Sequence, residues 1–242
     1  MFRHQGKSRN LKHNLRIATV LSFVAGIVNV VGFLAFNQLT TNVTGHFALF
    51  INDVAEFKFW KGTIYFLYIF SFLFGSFCSS FLIEKFRENK QLNVYVIPTL
   101  IECFILISVG FLSNFLMILY PNILICLLLF AMGLQNSFVT KISNAVVRTT
   151  HLTGLFTDLG IDLSMLLFPK YDTIKVKLKA NIKLRIYIIL FFFAGGLSGG
   201  FFYSKLNLQL NTLIIGAIIL LISLYYDALR YKVIKVKRKN YK

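Results

Sequence analysis

Thr40-Thr41-Asn42-Val43-Thr44-Gly45-His46-Phe47 and Thr149-Thr150-His151-Leu152-Thr153-Gly154-Leu155-Phe156 are two versions of one stretch. With Gly45 laid on Gly154, Asp53 falls on Asp162. Each copy follows an apolar run that carries Gly-x-x-Asn, Gly26 with Asn29 and Gly133 with Asn136. A second match lies downstream. Gly75, Ser76, Ser79 and Ser80 repeat the spacing of Gly195, Gly196, Gly199 and Gly200, the small-xxx-small pattern that lets helix backbones approach closely in lipid. The chain is therefore one unit written twice. Its main insertion in the second copy is the basic stretch 169–185.

The 242 residues are 57% hydrophobic and only 14% charged, against about a quarter charged in soluble domains. Several apolar runs reach about 20 residues, enough for roughly 30 Å of hydrocarbon. The chain reads as an all-α, multi-pass membrane protein. Its formal charge of +17 does not point to nucleic acid, because the basic residues sit between apolar runs and in the tails. Cys78, Cys103 and Cys126 lie inside apolar runs and read as packed thiols, with no disulfide framework or metal spacing. The first apolar run is too long for a signal peptide and reads as a retained helix.

Hydropathy predicts six membrane helices at about 17–36, 59–83, 94–112, 115–139, 186–203 and 213–229. Basic tails occupy 1–16 and 230–242. A charged loop spans 84–91, Ser113-Asn114 reads as a tight turn, 169–185 as a basic loop, and Pro98 as a kink. With the N-terminus inside, the inner segments hold 23 Lys and Arg, and the outer ones only Lys58, Lys61 and Lys205. Both termini are expected in the cytoplasm. Repeat 1 covers about 17–112 and repeat 2 about 115–229. Three helices per copy turn the second copy upside down, which makes an inverted 3+3 repeat within a single membrane domain.

The threonine stretches are too polar to span alone. Thr44 reads as an N-cap for a half-helix from Gly45, with a second half-helix over Gly154–Phe168. The expectation is two re-entrant segments whose helix N-termini meet near the midplane and favour a polar or anionic solute. Thr40, Thr41, Thr44, Gly45, His46, Thr149, Thr150, His151, Thr153 and Gly154 would line that site, with amides from Asn29 and Asn136. Glu102 sits mid-helix, where a charge needs a reason, and is a candidate for proton coupling. Asp158 and Asp162, four apart on one face, are further candidates; with Asp53 they are expected near a membrane face, paired with Arg148 or Lys141. Asp227 is expected beside Arg230 at an interface. The histidines have no second ligand at metal spacing, so neither metal nor cofactor is expected.

Gly196-Leu197-Ser198-Gly199 resembles the serine motif of rhomboid intramembrane proteases. A nucleophilic serine needs a base within reach, and no histidine follows His151. No Walker loop, H-E-x-x-H or dinucleotide fingerprint occurs in a suitable context. No catalytic residue is assigned.

The Gly-x-x-Asn followed by Thr-Gly, and Gly133-Leu134-Gln135-Asn136 followed by Arg148-Thr149-Thr150-His151-Leu152-Thr153-Gly154 and Asp158-Leu159-Gly160, resemble the YoaK family of small bacterial membrane proteins. That family usually has Asp where Asn29 stands and Thr-Gly-Asn where Thr44-Gly45-His46 stands. The resemblance implies a six-helix protein of the bacterial inner membrane and suggests a permease. Expected partners are the lipid bilayer, an unidentified small solute and a second copy of the chain. The competing reading is a non-transporting scaffold or a lipid- or partner-binding protein.

Overall fold

The computed structural model describes residues 10–87 and 94–240, with side chains at all of these except 113–116, 118 and 230–240. The element order is α1 (Leu11–Phe36), α2 (Thr44–Ala55), α3 (Phe59–Lys85), α4 (Val96–Leu119), α5 (Pro121–Ser143), α6 (Leu152–Met165), α7 (Lys175–Ser204) and α8 (Thr212–Asn240). Short 3₁₀ turns cover Pro169–Ile174 and Gln209–Asn211. No strand occurs among the described residues. Among the described residues, five helical stretches are long and apolar enough to cross a membrane: Leu11–Phe36, Phe59–Lys85, Pro121–Ser143, Pro169–Ser204 and Gln209–Leu229. The apolar part of α4, Val96–Leu112, is shorter.

Several boundaries differ from the hydropathy reading. Ser113-Asn114 is not a turn: α4 runs through it to Leu119, and the break comes at Tyr120 before Pro121. Proline is well placed there, because the first helical N–H has no partner in any case. Pro98 lies in the first turn of α4 for the same reason and need not kink it. The expected basic loop 169–185 is mostly helix, since α7 begins at Lys175 and not at Ile186. The C-terminal tail continues α8 to Asn240. Charged residues end a hydropathy signal without ending a helix. Residues 1–9 of the N-terminal tail and 88–93 of the charged loop lie outside the described residues.

The ends of α1 and α5 set up the two breaks. Asn10 caps α1 by accepting from the His13 N–H, and Asn37 ends it in the left-handed region at φ 54°. Asn144 ends α5 at φ 53°. Asparagine tolerates that conformation better than most residues and so makes a stop. Ala145 follows at φ 62°, a left-handed position that disfavours a Cβ.

Four glycines fix the tightest packing. A Cβ on Gly26 would strike the Phe192 carbonyl of α7, and one on Gly195 would strike the Phe23 carbonyl of α1. The second copy repeats this between Gly133 and the Phe72 carbonyl of α3, and between Gly75 and the Phe130 carbonyl of α5. So α1 is pressed on α7, and α3 on α5. Contacts advance together along both pairs, which are therefore parallel: Phe23 with Gly195 and Ile27 with Gly199; Tyr68 with Asn122 and Ser76 with Gly133. They run in opposition for α4 and α8, where Gly110 meets Ile214 and Cys103 meets Ala217. Val24 of α1 meets Gly216 of α8. Arg16, one end of α1, shares a cavity with Asp227 at the far part of α8, so this pair is also antiparallel. Ile105 flanks Cys126, and Tyr95 flanks Thr140, so α4 and α5 are antiparallel too. Helices α1, α4 and α7 thus run one way, and α3, α5 and α8 the other.

The core lies where α1 and α5 cross. Leu21, Val24, Ala25, Ile27 and Val28 of α1 and Leu128, Ala131, Met132, Leu134 and Phe138 of α5 are fully buried. Helix α3 turns Phe66, Phe70, Phe74, Phe77 and Phe81 outward, which is an apolar surface suited to lipid.

Candidate functional site

After each left-handed stop the chain doubles back on the helix it has just left. In the first copy the Thr40 hydroxyl donates to the Val28 carbonyl (2.9 Å), and the Thr41 hydroxyl to Asn29 Oδ1 (2.7 Å). In the second, the Thr150 hydroxyl donates to Asn136 Oδ1 (2.8 Å), and Gln135 Nε2 donates to the Thr149 hydroxyl (3.0 Å). Thr40, Thr41 and Thr149 are buried. A buried hydroxyl or amide without a partner costs about 1–3 kcal/mol, so these bonds hold the breaks in place. We call each arrangement an Asn–Thr clasp.

The two clasps do not close around one site. Gln135 Nε2 also donates to the Leu21 carbonyl (3.1 Å), which ties the second clasp to α1. The first clasp meets α1 at Val28, two turns away, or about 10 Å at 1.5 Å per residue. Buried Val24, Ala25 and Ile27 fill the interval. The short helices are held apart as well, α2 against α3 and α6 against α7. The expectation that both helix N-termini face a common centre is therefore corrected. Each polar break satisfies its own hydroxyls locally before it can turn them toward the other.

The remaining residues divide around this. Thr44 is exposed and is the first residue of α2, preceded by Val43 with no side-chain cap. It is not the N-cap expected of it. The second short helix runs Leu152–Met165, two residues ahead of the expected start, and Thr153 is exposed on it. A Cβ on Gly45 would meet only the Leu39 side chain, at ordinary contact distance, whereas the His151 ring lies over Gly154. His46 is buried: its ring meets the Leu39 carbonyl through Nε2 (2.7 Å) and packs on Tyr68 with centroids 5.1 Å apart. It closes its own loop.

Asp158 and Asp162 pair with Arg185 of α7, and not with Arg148 or Lys141. Lys141 instead pairs with Glu84 (2.6 Å). Beside this cluster lies a cavity of about 400 Å³ bounded by Arg148, Asp158, Lys177, Asn181 and Arg185. A second polar cavity, of about 580 Å³, is bounded by Glu84, Arg87, Tyr95, Thr140 and Lys141. Ala145 touches both. At the opposite end of α3, Lys58 donates to Glu56 (2.5 Å), and this bond together with the ammonium charge lowers the carboxyl below its usual range. Glu102 is fully buried, with no hydrogen-bond partner at either oxygen. The pairing expected between Asp227 and Arg230 lies outside the described side chains. Gln135 and Arg185 were missed in the sequence. Gln135 stands in the Gly-x-x-Asn motif next to Asn136, and Arg185 had been counted only as a topological charge.

A family model described as "Protein of unknown function (DUF1275)" matches residues 17–226. The chain belongs to this family. The DUF1275 match takes in both clasps and all four packing glycines. The chain is also 28% identical over 178 residues to "UPF0700 transmembrane protein YoaK" of Bacillus subtilis (strain 168), covering 72% of this chain and 78% of that protein. The YoaK resemblance read from the motifs is thus borne out. No solved structure matches the chain. With five apolar helices of spanning length, this DUF1275 member is a membrane protein.

Proposed function

We propose that this protein is a small-solute permease of the bacterial inner membrane, made of six spans in an inverted 3+3 repeat with both termini in the cytoplasm. The observation that carries the reading is the duplicated clasp. The same Asn–Thr bond recurs on α1 and α5, two helices that run in opposite directions. Inverted copies that each break a helix near the core are a recurrent transporter plan. The polar ends of α3, α5 and α7, with both polar cavities, lie on the side that the Lys and Arg distribution assigns to the cytoplasm. The basic lining of the smaller cavity suits an anionic or polar solute.

The motion follows from the packing. Glycine-to-carbonyl contacts bind α1 to α7 and α3 to α5, each pair mixing the two copies. These pairs are the rigid bodies, and the crossing of α1 with α5 is where they rock. The filled crossing then corresponds to a closed state, with Gln135 as its latch. The reading contains no catalytic step. Ser198 donates to the Ala194 carbonyl of its own helix (2.8 Å) and has no histidine partner in the chain after His151.

A non-transporting scaffold, alone or as a homo-oligomer, is the competing reading. The filled α1–α5 crossing is the observation in its favour. Two measurements separate them. Single cysteines at Thr44 and Thr153 should label from opposite faces of oriented vesicles; same-face labelling removes the inversion. A thermal-shift screen of small anionic and polar solutes should reveal a ligand that raises Tm. That ligand should enter proteoliposomes, with uptake reduced at least tenfold in Asn136→Ala. A solute that binds and is never taken up favours the scaffold.

A further inference from the structure

Glu102 lies on α4 in a setting that none of the packing contacts requires. It is 0% exposed, and neither carboxyl oxygen has a hydrogen-bond partner among the described residues. Two neighbours in the sequence show which side of the helix it occupies. Thr99 on the first turn of α4 and Tyr95 in the turn just before it stand three and seven residues ahead of Glu102, and all three are buried, so they line one side of the start of this helix. The Thr99 hydroxyl donates to the Tyr95 carbonyl (2.9 Å). Tyr95 forms part of the wall of the 580 Å³ polar cavity. That cavity therefore ends about 10 Å short of Glu102 along the helix.

Among the described residues, the helices packed against α4 supply no counter-charge. Helix α5 brings no charged side chain between Pro121 and Lys141, and Lys141 is engaged with Glu84 at the cavity. Helix α8 brings none between Thr212 and Asp227, and the Cys103–Ala217 contact puts Asp227 ten residues further along, about 15 Å away. Helix α3 offers only Glu84 and Lys85 at its cavity end. On α4 itself the other titratable group is Cys103, whose thiol meets the Ala217 carbonyl, and Tyr95 stands in the turn just before the helix. A carboxylate enclosed in this way would have nothing to replace its hydration, so the closed state holds the neutral acid. A metal cation would need several oxygens gathered around the carboxylate. The buried Ser22 hydroxyl and Gln135 Oε1 are likewise without partners, which keeps that hydroxyl out of hydrogen-bond reach of Glu102. A proton needs only the carboxyl. Asp158 and Asp162, the other acids considered for coupling, both have the Arg185 guanidinium as an ion-pair partner, which Glu102 lacks.

We propose that Glu102 is a proton-carrying site served through the cavity bounded by Tyr95, Glu84 and Lys141. When that side of α4 opens, the carboxyl O–H bond breaks, the carboxylate remains on α4, and the proton passes to cavity water. Closure requires the reverse. The coupling of this step to solute movement rests on the permease reading, whereas the proton site itself does not.

Dicyclohexylcarbodiimide tests the site, because it adds to protonated carboxyls in apolar surroundings. Full-length protein in proteoliposomes is treated across a pH series and mapped by mass spectrometry. The expected result is an adduct on Glu102, with a yield that falls about tenfold for each pH unit above its midpoint. No adduct at any pH, or a yield indifferent to pH, overturns the proposal. The route has its own test: Tyr95→Ala should speed labelling by a water-soluble carbodiimide added from the cavity face at least threefold, and an unchanged rate overturns it. Solute uptake is scored separately. A pH-dependent adduct in a protein that moves no solute supports the proton site and removes the permease. Uptake alongside a pH-indifferent adduct does the opposite.

Discussion

The two copies share a backbone plan and differ in how they handle polar groups. Both carry the clasp, and both press glycine against a phenylalanine carbonyl at equivalent positions. They part at their acids and amides. The first copy has Val28 where the second has Gln135, so Thr40 bonds to a backbone carbonyl while Thr149 bonds to a side chain that reaches α1. The first copy holds Glu102 bare in α4, and α8 has no acid before Asp227. Asp162 is paired with Arg185; Asp53, its counterpart, leaves Oδ2 without a partner. Backbone-to-backbone contacts tolerate no side chain and so stay the same in both copies. Polar side chains can be exchanged once the frame is set.

That contrast can be broken by experiment. The largest effects belong to the shared frame. Gly26→Val and Gly133→Val should each destabilise the protein by more than about 3 kcal/mol, since a carbonyl of another helix occupies the space of the new Cβ. Size-exclusion profiles in detergent should lose the monodisperse peak for both, while Gly160→Val, with open space around it, keeps the peak. One tolerated glycine change would mean that the copies do not pack alike. Next comes the unmatched ion pair. Arg185→Ala leaves nearly buried Asp162 without its cation and should cost about 3 kcal/mol, read as a lowered Tm. Asp53→Asn should leave Tm almost unchanged.

The clasps come third. Thr41→Val and Thr150→Val each remove one bond to a half-buried amide and should cost about 1–2 kcal/mol, with similar Tm losses in the two copies. Clearly unequal losses would argue that only one break is structural. Thr149→Val should exceed Thr40→Val, because it takes from the buried Gln135 amide one of its two bonds and leaves only that to the Leu21 carbonyl. Smallest of all, Thr44→Ala and Thr153→Ala should stay within about 0.5 kcal/mol, since both side chains are exposed and no contact depends on them.

Much of this was readable in the chain. Asn29, Asn136 and the threonine pairs were singled out by their repetition, and they do form the clasps. Thr44, Gly45, Thr153 and Gly154 belong to the same quoted stretch but not to the clasps, because the chain has turned outward by the time it reaches them. Helix ends were the weak point. Hydropathy stops at the first charges, whereas the hydrogen-bonded helix of α7 starts eleven residues before Ile186 and carries Arg185 into place. The Arg185–Asp158 pairing spans 27 residues, far beyond any local pattern.

The repeated motifs, the apolar runs and the polar breaks are fixed by the order of residues alone, because periodic burial and lipid exposure act on each segment separately. Whether the breaks meet was a different question. It was decided by which helices glycine allowed to touch and by how tightly valine, alanine and isoleucine filled the crossing of α1 and α5. Those outcomes depend on close packing between segments a hundred residues apart, where a single Cβ is enough to forbid a contact.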